Sequence, residues 1–180
     1  KLLDLVRELR GEDSGNALAK KGAKVFHDVA EEARVVFNQN GGSIGRLDDW
    51  GMPQHHSQAR VSDAANSPDR AANQKQWVED VMPLLDRSRY VDDITGQAWT
   101  DADMVEFLGK AWDTIATDGH ANTVAGRFGG DKRSNRHAEH RQIHYKDAES
   151  VIQYWDRYGD RTAVEILTNH IDTMARDIAF

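Results

Sequence analysis

Apolar residues recur along this chain at steps of three and four with polar residues between them, the period of an α-helix packed on one side. Leu2, Leu3, Leu5, Val6 and Leu9 are in helical phase from the start, so a first helix is predicted over residues 1–10, ending at Gly11. Ser14 offers an N-cap hydroxyl for a second, longer helix. Its stripe is Leu18, Gly22, Val25, Phe26, Val29, Ala33, Val36 and Phe37, which predicts burial along that line. Asn40-Gly41-Gly42 closes it, with glycine where a helix end takes a left-handed residue.

Between residues 42 and 67 the period disappears. The stretch is glycine-rich with isolated large apolar residues, and an ordered loop pinned by Leu47, Trp50 and Met52 is predicted. Ser67-Pro68 reads as the N-cap and first residue of the next helix, which carries Trp77, Val78, Val81, Leu84 and Leu85. Pro83 should kink or restart it. Asp92-Asp93-Ile94-Thr95-Gly96 is a turn. Thr100, followed by Asp101 and Asp103, caps a helix with Met104, Phe107, Leu108, Ala111 and Ile115 inward and Asp118-Gly119 at its end.

A second irregular segment, 119–146, contains Gly126, Gly129 and Gly130. A short helix over 147–158 carries Val151, Ile152, Tyr154 and Trp155, and Gly159-Asp160 breaks it. The last helix keeps its period through Val164, Leu167, Ile171, Met174 and Ile178. The expected fold is all-α: an irregular multi-helix bundle with two long ordered loops. A single domain over 1–180 is expected, with helices in 1–41, 68–118 and 147–180, a loop over 42–67 and a basic loop over 119–146.

Composition narrows the class without naming a task. The 180 residues contain no cysteine, which excludes disulfides, thiolate nucleophiles and cysteine-based zinc sites. A net charge of −7 argues against nucleic-acid binding over the whole surface. A mean hydropathy of −0.72 is polar for a globular chain. No apolar run approaches the ~20 residues of a membrane span, and the acids within the opening stretch do not suit a signal peptide. With Lys1 in place of methionine and the helical stripe already under way, the chain is expected to be part of a longer polypeptide; a processed precursor is the alternative.

Charge is segregated. Residues 127–146 hold Arg127, Lys132, Arg133, Arg136, Arg141 and Lys146 against Asp131 and Glu139, which leaves +4 there and −11 in the remainder. Such a loop on an acidic body could take a phosphate, a nucleic-acid backbone or an acidic partner, with Arg136, Arg141 and Lys146 as the candidate ligand-binding residues. The plainer reading, a solvated loop paired with the chain's own acidic helices, is preferred. His137, His140 and His144 share a face if helical, a spacing that could hold zinc. No Glu occupies the His-Glu-x-x-His position, and Arg141-Gln142-Ile143-His144-Tyr145 alternates as an extended segment would. Neither metal nor cofactor is expected.

Pro53-Gln54-His55-His56 forms a second polar knot. His55, His56 and His144 are the catalytic candidates, with Asp48 or Asp49 as orienting carboxylates for the first two. A histidine in a loop is more often a hydrogen-bonding group than a catalyst, and no catalytic residue is assigned. Phosphate-loop, dinucleotide and nucleophile-elbow motifs are missing from the sequence. Trp50, Trp77, Trp99, Trp112 and Trp155 read as core and interhelix fillers.

Certain segments point to a family. Asp49-Trp50-Gly51-Met52-Pro53-Gln54-His55, Trp77 with Pro83-Leu84-Leu85-Asp86-Arg87, and Trp112-Asp113-Thr114-Ile115 resemble segments of large tailed-phage and prophage virion proteins. So do Arg141-Gln142-Ile143-His144-Tyr145-Lys146-Asp147-Ala148-Glu149, Tyr154 and His170-Ile171-Asp172-Thr173-Met174-Ala175-Arg176. The resemblance covers residues 35–180. It implies an internal virion or DNA-ejection component, in chains that sometimes carry a cell-wall lytic module elsewhere, and it brings no catalytic residues. The function expected on this basis is a non-catalytic structural and interaction module, located in the virion or in the bacterial cytoplasm when prophage-encoded. Its partners would be other virion proteins or further copies of itself. The alternative is an enzyme or anionic-ligand site built on the His/Arg-rich loop.

Overall fold

The computed structural model describes residues 1–45, 53–92, 95–119 and 143–179. The fold is all-α, with seven α-helices, two short 3-10 turns and two isolated β-bridges among the described residues. These are α1 (Leu2–Leu9), α2 (Ala17–Gln39), α3 (Gln58–Ser62), α4 (Arg70–Val81), α5 (Asp101–Ala116), α6 (Ala148–Tyr158) and α7 (Ala163–Ala179). None of them is long and apolar enough to cross a membrane. The described residues form two compact units, one within Lys1–Gln54 and Arg161–Phe180, the other within His55–Gly126 and Arg141–Asp160.

In the first unit α1 and α7 both pack on α2. The α1–α2 turn is tied by Glu8, whose carboxylate accepts from the Ser14 amide at 2.8 Å and hydroxyl at 2.7 Å. The N-cap of α2 is therefore not Ser14 but Asn16, whose Oδ1 accepts from Leu18 and Ala19 amides at 3.1 and 3.3 Å. The buried face of α2 also differs from the predicted stripe. Phe37 is buried as predicted, but Ala19, Ala23 and Ala30 join it inside, while Leu18, Val25 and Val29 of the predicted stripe are exposed. Small alanines let the neighbouring helices approach closely, so the backbone packs along the alanine line and the larger valines are left outside. On α7 Met174 is buried as its period predicts and Leu167 and Ile171 are half-buried, while at the start of the helix Ala163 and Ile166 are buried and Val164 is exposed.

The end of α2 follows its glycines. Gly41 has φ +91, its amide bonds Asn38 O at 3.2 Å, and the Gly42 amide bonds Phe37 O at 3.0 Å. This pair of bonds is the Schellman arrangement, which satisfies two carbonyls that the helix end leaves open. A Cβ at Gly42 would lie 2.1 Å from two Phe37 ring atoms. Gly42→Ala is accordingly expected to destabilise the first unit by about 1–3 kcal/mol through forced displacement of a buried ring, measurable by urea denaturation. Unchanged stability would mean that the ring moves freely.

In the second unit the region expected to be loop contains α3, a helix of five residues too short to show a period. Its Val61 is fully buried, and Val61 O accepts from the Trp112 indole at 2.8 Å. The next N-cap is Asp69 and not Ser67: Asp69 Oδ1 accepts from the Ala71 amide at 2.9 Å. Ser67 stands two residues earlier, where its carbonyl takes the side-chain amide of buried Asn73 at 2.7 Å. Pro83 restarts the chain after α4 as a 3-10 turn over Met82–Leu84. Thr100 and Asp103 exchange bonds as a capping box at the start of α5.

Trp77, Val81, Met104, Leu108, Trp112 and Tyr154 form the core of this unit. Residues 143–146 run extended beside the end of α4, with a bridge between Leu85 and Tyr145. There Asp86 N bonds His144 O at 2.8 Å and Lys146 N bonds Leu84 O at 2.9 Å. Residues 120–142 of the predicted basic loop, together with Leu47, Trp50 and Met52, lie outside the described residues.

Candidate functional site

His55 and His56, with the Ser57 and Arg60 that follow, run along the C-terminal end of α6. The last turn of any helix leaves carbonyls without intrahelical partners, and here the segment supplies donors. The Ser57 amide bonds Tyr158 O at 2.7 Å, and the Arg60 guanidinium donates to Gly159 O. A cation at this end also opposes the negative pole of the helix. Gly159 suits the exit, because a Cβ there would stand 2.8 Å from Trp155 O.

Two histidine contacts complete the lacing. His55 Nε2 lies 2.6 Å from Asp160 Oδ1, with the histidine side chain mostly covered. His56 Nδ1 lies 2.6 Å from Tyr154 Oη, and the two rings meet edge-on with centroids 5.4 Å apart. Burial, with His55 beside it as a smaller cause, pushes the His56 imidazole down to about 4. Burial pushes the Tyr154 phenol up. At neutral pH both groups are therefore uncharged, and a phenol that donates to Nδ1 goes with the tautomer that carries its ring proton on Nε2.

A carboxylate engages the next turn of the same face of α6. Asp80 accepts from the Tyr158 hydroxyl at 2.5 Å and from the Gln76 amide at 3.1 Å, and Arg157 pairs with it at 2.7 Å. Burial first, then the bond to Asp80, raises the Tyr158 pKa. Trp77 packs edge-on against both Tyr154 and Tyr158, with centroids 6.4 and 6.5 Å apart. Tyr154 and Tyr158 are four residues apart on one helix face, so a single face presents two phenols to two polar partners.

The other predicted residues lie in different surroundings. His144 sits at a second aromatic cluster: its amide donates to Tyr90 Oη at 2.9 Å, and its ring stands 5.8 Å from Tyr90. Trp99 and Phe107 complete that cluster, each about one ring contact from Tyr90 at 5.6 and 5.5 Å. Lys146 Nζ donates to Pro83 O at 2.9 Å. Arg136, Arg141, His137, His140, Asp48 and Asp49 lie outside the described residues. Among the described residues no three His, Asp or Glu side chains gather as a metal site.

Chemically this arrangement is a tether. A general base works best with a pKa near the working pH. A histidine held neutral down to about pH 4, its Nδ1 occupied by a phenol, is a weak one. Sequence reasoning singled out His55 and His56 but missed Tyr154, Tyr158, Asp80, Arg60 and Arg157. The one usable signal was the Tyr-x-x-x-Tyr spacing on α6; nothing local ties residue 56 to residue 154. No protein-family model, curated protein or solved structure matches the chain.

Proposed function

We propose that this chain is a non-catalytic structural and interaction module, serving as a helical part of an internal virion or DNA-ejection protein of a tailed phage or prophage. The observation that carries the non-catalytic half is the engagement of the His55 and His56 rings and the Lys146 ammonium in hydrogen bonds with their own chain, and the packing of the His144 ring on Tyr90. In this reading these contacts hold segments of the fold together, and the neutral, buried His56 is poorly suited to act as a base. The phage half rests on the resemblance of residues 35–180, whose Trp77, Leu84, Leu85, Trp112 and Tyr154 are buried and whose His55 lies in the lacing. Such segments would keep their spacing for packing, which suits a module whose work is assembly.

Mass spectrometry of particles purified from a culture that encodes the chain tests this reading. Peptides from residues 1–180 are expected in the particle at a fixed ratio to capsid protein. Their absence from particles, with the chain present in the cell, would overturn it.

A further inference from the structure

The long helix α2 carries two apolar lines, and its own unit covers only one. Beside the buried alanine line runs a second, made of Leu18, Val25, Val29 and Val36. Leu18, Val25 and Val29 are 79%, 55% and 41% exposed, and Val36 is half-buried. These four fall within about 40° of one another around the axis at 100° per residue, and they span about 27 Å of helix. Their spacing is 7, 4 and 7 residues, which reads the same in both directions. A line with that symmetry matches itself when a second copy is laid antiparallel.

From this self-matching line we infer that α2 pairs antiparallel with α2 of a second copy of the chain, about a two-fold axis at residue 27. In that register Val25 meets Val29 of the second copy and Leu18 meets Val36 of the second copy. Charge agrees with the same direction. Lys20, Lys21 and Lys24 lie in the first half of the helix, and in the second Asp28, Glu31 and Glu32 outweigh Arg34, so antiparallel pairing sets basic halves against acidic ones. A parallel pair would set like against like. Lys24 is paired with Asp28 at 2.6 Å and Glu31 with Arg34 at 2.8 Å. Lys21 and Glu32, exposed beside the apolar line, have no ion-pair partner among the described residues, and the register brings them together across the axis twice. A two-fold contact of this kind is isologous and closes as a dimer.

The inference deepens the interaction-module reading, since it names self-assembly as one interaction, yet a monomer would leave the particle test above untouched. Sedimentation equilibrium of the whole chain, from micromolar to millimolar, is expected to show a monomer–dimer equilibrium. Val25→Gln with Val29→Gln should weaken it by about tenfold or more, because two central apolar contacts per copy are lost. Lys21→Glu alone and Glu32→Lys alone should each weaken it several-fold by placing like charges together. The double reversal, K21E with E32K, should return the dissociation constant to within about twofold of the parent. All of these positions are exposed, so circular dichroism should show unchanged helix content in every variant. A monomer throughout the range, a dimer indifferent to the valine changes, or a double reversal that fails to restore affinity would each overturn the pairing.

Discussion

Trp112→Ala is expected to destabilise the second unit by about 3–5 kcal/mol, the range for deleting a large buried ring. Three losses combine at this position. The ring is 1% exposed, so its removal opens a cavity in the core between α3, α4 and α5. Its indole N–H is the donor to Val61 O at 2.8 Å, and that carbonyl belongs to a five-residue helix with few bonds of its own. The Arg70 guanidinium also stands over the ring, 4.5 Å from its centroid. Trp112→Phe separates these terms, because it keeps most of the apolar contact but leaves the carbonyl without its donor. It should cost about 1–3 kcal/mol. Chemical denaturation followed by circular dichroism reads both values, and a loss below about 1 kcal/mol for the alanine variant would mean that α5 does not hold α3 in place.

The second large effect is a pH dependence carried by His56. In the unfolded chain a histidine titrates near 6.5, whereas in the fold burial holds His56 at about 4. Between those values the unfolded state binds the proton and the folded state does not, so stability increases with pH. The contribution is fully present above pH 6.5 and is lost as pH falls toward 4. At about 1.4 kcal/mol per pKa unit the loss over that window reaches up to about 3 kcal/mol. His56→Gln retains an acceptor for Tyr154 and cannot titrate, so the difference between parent and variant isolates this term. Stability curves measured at pH 7, 5.5 and 4.5 should converge as the parent loses stability and the variant does not. Parallel curves would show that His56 is not held neutral by the fold.

Helix existence was readable where a local signal and the tertiary packing agree. Trp77, Val78, Val81, Leu84 and Leu85 are all buried as their period suggests, and Thr100 caps α5 with Asp103 as its spacing implies. Misreadings came where two local solutions competed. Ser14 and Asn16 can both cap α2, and Glu8 decides between them by taking the Ser14 hydroxyl. On α2 the eye follows valines, but helices close most tightly on alanine, so Ala19, Ala23 and Ala30 go inside. The displaced valine line was nevertheless a real pattern, and it is the one that fits a second copy.

The candidate site was legible only as a pair of conspicuous histidines. Their partners Tyr154 and Asp160 lie 98 and 105 residues further along the chain, and no periodic or motif signal crosses such a separation. The bonds from Ser57 and Arg60 to the end of α6 are equally invisible, since any amide and any arginine could have made them. What holds α6 in place for these bonds is its packing on α4, where Tyr154 and Tyr158 lie against Trp77.

The central claim, that the His-His segment is a structural tether and not a reactive centre, is tested most directly by nitrogen-15 magnetic resonance of the His56 ring in the folded chain. Through the neutral range Nε2 is expected to carry the proton and Nδ1 to show the shift of an acceptor bonded to Tyr154, with no titration until about pH 4. A His56 ring that titrates near 6.5, with both tautomers populated and no change on Tyr154→Phe, would contradict it.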